Sequence, residues 1–139
     1  MEGFVKSQRE IVAAIGGSLP AQEAIGATMR NQHDNLNSDP AMGRIMSWSH
    51  LSDEMDDLVP MTDVLRAGIE RIRAAQERGE FRDDVPAHLI LHLMLGTTNS
   101  WMMFRRLFQA AGIIDAEQAE DPEAIDAMIA LVTRGVAPD

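Results

Sequence analysis

Between Pro86 and Ala111 the chain carries hydrophobic residues on every side of a helix. Leu89, Ile90 and Leu91 precede His92, and Leu93, Met94 and Leu95 follow it. Trp101, Met102, Met103 and Phe104 repeat the crowding further on. At about 1.5 Å per residue, a helix over 86–111 is about 39 Å long. A helix that is apolar all round has to be covered all round. The remaining helical segments are too few and too short to wrap it completely, so a second subunit is expected to cover part of it.

The rest of the chain reads as five further helices and no strand, because its β-branched residues form no alternating runs. From Phe4 to Ile15, the stripe Phe4, Gln8, Ile11, Val12 and Ile15 predicts a helix that ends at Gly16-Gly17. A helix opened by Pro20 places Ile25, Met29, His33 and Leu36 on one face. Asp39 is placed to cap the next helix, with Pro40 at its first position, where a missing N–H costs nothing. That helix carries Met42, Ile45, Met46, Trp48 and Met55 and dissolves in the acidic run 52–57. From about Pro60 to Arg78, Met61, Leu65, Ile69 and Ile72 form an apolar stripe. Asp63, Arg66, Glu70, Arg73 and Glu77 form the solvated side of the same helix. Gly79 is its natural stop, with Phe81 placed to fold back over the last turn. A final helix from Pro122 to about Gly135 lines up Ile125, Met128, Ile129 and Val132. The expected fold is an all-α six-helix bundle in one domain over 1–139.

Composition removes several classes of function. Cysteine is absent, which excludes disulfides, thiolate catalysis and cysteine metal sites together. No apolar run approaches the roughly 20 residues of a membrane span, and the N-terminus has no basic-then-apolar leader. A cytoplasmic protein with no membrane partner is expected. Against 22 acidic residues stand 12 basic ones, a formal charge of −10. DNA affinity rests largely on Lys and Arg displacing counterions, so this chain is not built to hold DNA by itself.

The segment Glu77-Arg78-Gly79-Glu80-Phe81-Arg82-Asp83-Asp84-Val85-Pro86, followed by an apolar helix with a central Gly96, resembles the C-terminal half of TetR-family transcriptional regulators. In that family a helix closes on a Gly-Glu-Phe-Arg turn, and an aspartate- and proline-containing helix start follows. Val85 stands where an acidic residue often precedes the proline. Phe4-Val5-Lys6-Ser7-Gln8 is similar to the helix that follows the family's DNA-binding domain. The three-helix head with its helix-turn-helix is not found in this sequence. The resemblance implies an effector-binding and dimerisation domain of a repressor, of the TetR C-terminal type, that dimerises through a four-helix interface. DNA is then a partner only through a helix-turn-helix head.

Ten methionines and two tryptophans fall mostly on the helices around a would-be pocket, and methionine adapts to ligands of loosely defined shape. With the resemblance, Trp48, Met55, Trp101 and Met102 are the candidate lining, with Met29, Leu65 and Ile69 closing the walls. His33 and Thr98 are candidate polar anchors, although a helical threonine readily bonds the carbonyl one turn back. The expected ligand is a small apolar or amphipathic effector, since few convergent charges are predicted inside. For the homodimer, Gly96 and Ser100 allow close helix approach, Met103 and Leu107 continue that face, and Ile125, Met128, Ile129 and Val132 form the matching stripe.

Other chemistry is weakly supported. His88 and His92 have the spacing of two metal-ligating imidazoles, but Leu89 stands where the zinc-protease motif needs its glutamate. No metal or other cofactor is expected. The acidic run Asp53-Glu54-Met55-Asp56-Asp57 lacks the glycine and spacing of a calcium loop. Nucleophile elbows, phosphate loops and dinucleotide fingerprints are missing, so an enzyme is not expected. The rival reading is a small dimeric helical adaptor that binds a partner protein and has no pocket. From the charge alone, this chain is predicted not to retard duplex DNA in a gel shift at physiological salt. Retardation of arbitrary duplex would overturn the electrostatic reading.

Overall fold

The computed structural model describes Lys6, Arg9 and residues 19–52 and 61–139. The described residues contain no strand. Their helices are α1 (Ala21–Ser38), α2 (Pro40–Ser52), α3 (Thr62–Glu77), α4 (Ala87–Ala110), α5 (Ala116–Ala119) and α6 (Glu123–Val136). Of the expected helix from Phe4 to Ile15, only Lys6 and Arg9 are described, both helical and exposed. The candidate pocket residue Met55 lies outside the described residues.

Helix boundaries follow local chemistry. The Asp39 carboxylate accepts from the backbone N–H of Met42 at 3.2 Å, capping α2 with Pro40 at its first position. Helix α3 ends in Gly79 at φ 74°, a left-handed conformation that costs glycine little. The N–H of Glu80 donates to Ala75 O (2.9 Å) and that of Gly79 to Gln76 O (3.0 Å), so two terminal carbonyls are satisfied together. Gly112, at φ 72°, closes α4 in the same way, with Ile113 donating to Phe108 O and Gly112 to Gln109 O. A short helix the sequence reading did not anticipate, α5, follows. Asp115 and Gln118 form its reciprocal capping box.

Helix α1 packs against both α4 and α6, α3 lies along α4, and α2 leans on α1. The core is built where these meet, from Ile25 and Met29 of α1, Ile72 and Ala75 of α3, Ile90 and Met94 of α4, and Ile125, Val132 and Val136 of α6. On α1 the interior positions are Ile25, Met29, Gln32 and Leu36. Gln32 therefore takes the inward place that spacing had given to His33. The His33 ring turns aside toward Asp34 and Asn37.

The turn between α3 and α4 is the most heavily tied loop. Phe81 is buried in the core beneath it. The Gln76 side chain donates to the carbonyls of Arg82 (3.0 Å) and Val85 (2.8 Å), holding the turn across its width. The Arg82 N–H reaches Val136 O at 2.9 Å, and its guanidinium reaches Gly135 O at 3.2 Å, which satisfies the last carbonyls of α6. The same guanidinium grips Asp84 with two hydrogen bonds of 2.6 and 2.7 Å. One loop thus joins α3, α4 and the end of α6.

The hydrogen bond from Arg82 holds the Asp84 carboxyl below its ordinary range. A lowered folded-state pKa stabilises the fold above the ordinary carboxylate value, and that stabilisation is lost as pH falls through the lowered one. Asp84→Asn is therefore expected to melt below the parent at neutral pH. The gap should close as pH drops below about 4. Melting curves from pH 7 down to 2.5 check this; a gap that widens in acid would contradict it.

Candidate functional site

Helix α2 packs chiefly on α1, and the space between it and the α3–α4 pair is a cavity of about 1510 Å³. Ordinary small-molecule sites hold about 300–1,000 Å³. The space exists because α2 turns only part of itself inward. Met42 and Ser49 are buried, whereas Ile45 and Leu51 are exposed and Trp48, on the cavity wall, is 64% exposed. Across from it, α3 presents Leu65 and Ile69, α4 presents Leu95 and Met102, and α1 supplies Ile25 and Leu36.

Four of the expected pocket residues therefore come together on one cavity: Trp48, Leu65, Ile69 and Met102. Four others lie elsewhere. Met29 is fully buried in the packed core, and Trp101 is half-buried away from the cavity wall. His33 is held by its neighbours on α1. Thr98 has no exposed surface, and its hydroxyl donates to Met94 O at 3.2 Å, one turn back along α4. That bond occupies the hydroxyl's only proton, so Thr98 serves the helix backbone.

The polar groups on the wall were not anticipated. Gln32 is 4% exposed, and its Nε2 donates to Asn99 Oδ1 at 3.1 Å, bridging α1 and α4 on the cavity side. Five arginines also line the space: Arg44, Arg71, Arg78, Arg105 and Arg106. Arg78 pairs with Glu80 at 2.9 Å, and Arg105 reaches Asn37, the Ala119 carbonyl and Glu120. This corrects the expectation of few convergent charges. An arginine read on its own helix looks like part of a solvated face; only tertiary packing shows several of them pointing at one space. His88 and His92 stand exposed at the mouth of the same cavity. Among the described residues no group of three His, Cys, Asp or Glu side chains is placed to hold a metal.

The residues assigned to a dimer face divide in the same way. Ser100 and Leu107 lie on an outward stripe of α4 that also carries Leu89, Leu93 and Phe104, at helical spacings of four, seven, four and three. Gly96 and Met103 sit where this stripe meets the cavity wall. On α6, Ile125 and Val132 are buried within the subunit, and Met128 and Ile129 pack against the same core. Ile129 comes close enough to α1 that a Cβ added at Gly26 would lie 3.4 Å from its Cγ2. The apolar stripe of α6 is therefore satisfied by the subunit's own α1. The side of α6 left open carries Ala127, Ala130, Leu131 and Arg134.

No described helix is long and apolar enough to cross a membrane. A family model described as the tetracyclin repressor-like C-terminal domain matches residues 27–134, which span α1 through α6 and the turn tied by Arg82. Comparison with curated proteins and with solved structures returns no match.

Proposed function

By that match the chain belongs to the TetR family through its C-terminal domain, and we propose that it is the effector-binding and dimerisation domain of a repressor. The observation that carries this reading is the cavity. It lies among α1, α2, α3 and α4, mostly apolar walls surround it, and a few buried polar groups are set into them. Such a site suits a small apolar or amphipathic molecule. The adaptor reading has no pocket between the helices, and an apolar space of about 1510 Å³, open on one side, weighs against it.

In this reading the ligand acts through the segment that precedes α1. A molecule lodged between α2 and the α3–α4 pair favours one position of that segment over another and so alters the spacing of two DNA-binding heads. The transmission needs a difference in affinity between two arrangements; equal binding to both moves nothing. The chain's own charge leaves DNA contact to a helix-turn-helix head.

Dimerisation, in the same reading, uses the outward stripe of α4 together with the open side of α6. Leu107 is 57% exposed and Leu131 68% exposed, apolar areas that a second copy would cover. An obligate contact of this kind buries on the order of 1,500 Å² or more in total.

Two measurements test the proposal. Sedimentation is expected to give twice the 15.3 kDa chain mass at micromolar concentration. The double variant Leu107→Glu, Leu131→Glu should give the single mass, because charge on that face cannot be desolvated cheaply. A wild-type monomer would end the dimer reading. For the ligand, hydrophobic compounds are expected to change Trp48 fluorescence saturably and to raise the melting temperature by several degrees at saturation. Filling the cavity with Ile69→Trp should weaken both effects. A broad panel that changes neither would return the protein to the adaptor class.

A further inference from the structure

The cavity's charge runs against that of the chain. The sequence holds 12 cationic and 22 acidic residues. Yet five of those cations line the cavity, against the single carboxylate of Glu120 among the described residues. Among the described residues Arg44, Arg71 and Arg106 have no ion-pair partner. Three side-chain polar atoms among the described residues are shielded from solvent without a hydrogen-bond partner, and two of them are guanidinium nitrogens on this wall: Nη1 of Arg71 and Nε of Arg105. A desolvated N–H of a charged group is costly to leave unmatched; because Nη1 of Arg71 is itself covered, a ligand head reaches this guanidinium through its other N–H groups on the cavity wall. Arg105 already has Asn37, Ala119 and Glu120 for its other nitrogens. Arg71 has none of these.

We propose that the cavity selects an amphipathic anion, with an acidic head held by the Arg71 guanidinium and an apolar body lying along Ile25, Ile69 and Met94. This inference rests on the effector-cavity reading and adds the charge of the effector to it. A guanidinium offers a carboxylate two parallel N–H donors, and inside a partly dry cavity such a pair is stronger than it is in water. Arg71 lies two turns before Arg78, the C-terminal cap of α3, and both line the space. Arg78 shares its charge with Glu80 through an Nη2 hydrogen bond of 2.9 Å and adds to the positive field on the wall. The remaining arginines raise the potential of the whole wall and make a cationic ligand unfavourable there.

The test uses three probes with the same ten-carbon tail: decanoate, 1-decanol and decyltrimethylammonium. They are titrated calorimetrically into the 139-residue protein and into its Arg71→Met and Arg71→Lys variants. Decanoate is expected to bind on the order of tenfold or more tighter than decanol, and decyltrimethylammonium weakest of the three. Arg71→Met should bring decanoate down to the level of decanol while leaving decanol binding unchanged. Arg71→Lys, which keeps the charge but loses the paired donors, should retain part of the preference. Unchanged decanol binding also shows that the Met variant is folded; if it is not, the Lys variant carries the same comparison. Equal binding of decanoate and decanol by the parent would overturn the proposal and leave the cavity reading standing. A preference for decanoate that survives in both variants would overturn Arg71's role. Failure of all three probes to bind would overturn the cavity reading itself.

Discussion

Everything in this structure answers to the need to cover α4. Its sequence gives it no side that water can hold comfortably, so each arc of its circumference has to be met by something. The arc of Ala87, Ile90, Met94 and Thr98 is closed by α1 and α6. A second arc carries Leu91, which meets α3 beside Gly68. A third, with Leu95, Asn99 and Met102, faces the cavity. The fourth, from Leu89 to Leu107, is bare in the single chain. In the proposed reading, the two arcs without protein cover are the places where this domain takes a ligand and a second subunit.

The turn 79–86 determines where those arcs point. Once Gly79 has reversed the chain and Phe81 is sunk into the core, Gln76 and Arg82 leave little freedom in the angle between α3 and α4. Because Arg82 also binds the last carbonyls of α6, that angle is fixed relative to α6 as well. Arg78, Phe81 and His88, in or beside this turn, also line the cavity. Among the described residues α2 is held mainly by α1 and by the Asp39 cap.

Local chemistry was legible in the sequence, and tertiary partnership was not. Pro40, Gly79 and Pro86 mark helix ends because proline and glycine act through the backbone of their own segment, whatever packs nearby. The capping box at Asp115 and Gln118 is equally local, but the helix it starts has only four residues, too few to show a period. Periodicity showed that Ile125, Met128, Ile129 and Val132 form an apolar stripe, but a stripe does not say which helix covers it, and α1 of the same subunit does. On α1 the spacing could not separate Gln32 from His33, since both fall near the stripe that a period of 3.6 defines. The arginines were hardest to read. Arg44, Arg71 and Arg105 are far apart in sequence, and each is compatible with an ordinary solvated face until α2, α3 and α4 are brought around one space.

The cavity and the bare stripe share one helix, and this has a thermodynamic consequence. Gly96 and Met103 lie at the seam between them, and a helix body is only about 10 Å across. A ligand on one side and a second subunit on the other therefore bear on the same backbone. If cavity occupancy shifts or rotates α4 by any amount, the two stripes of a symmetric pair are displaced twice, once in each copy. Coupling is reciprocal, so whatever a ligand does to the association of subunits, association does to the affinity for ligand. Arg82 restrains that motion from one end by holding the start of α4 to the end of α6. The far end of α4 is held by the buried Arg105, which reaches Asn37 of α1 and the Ala119 carbonyl of α5.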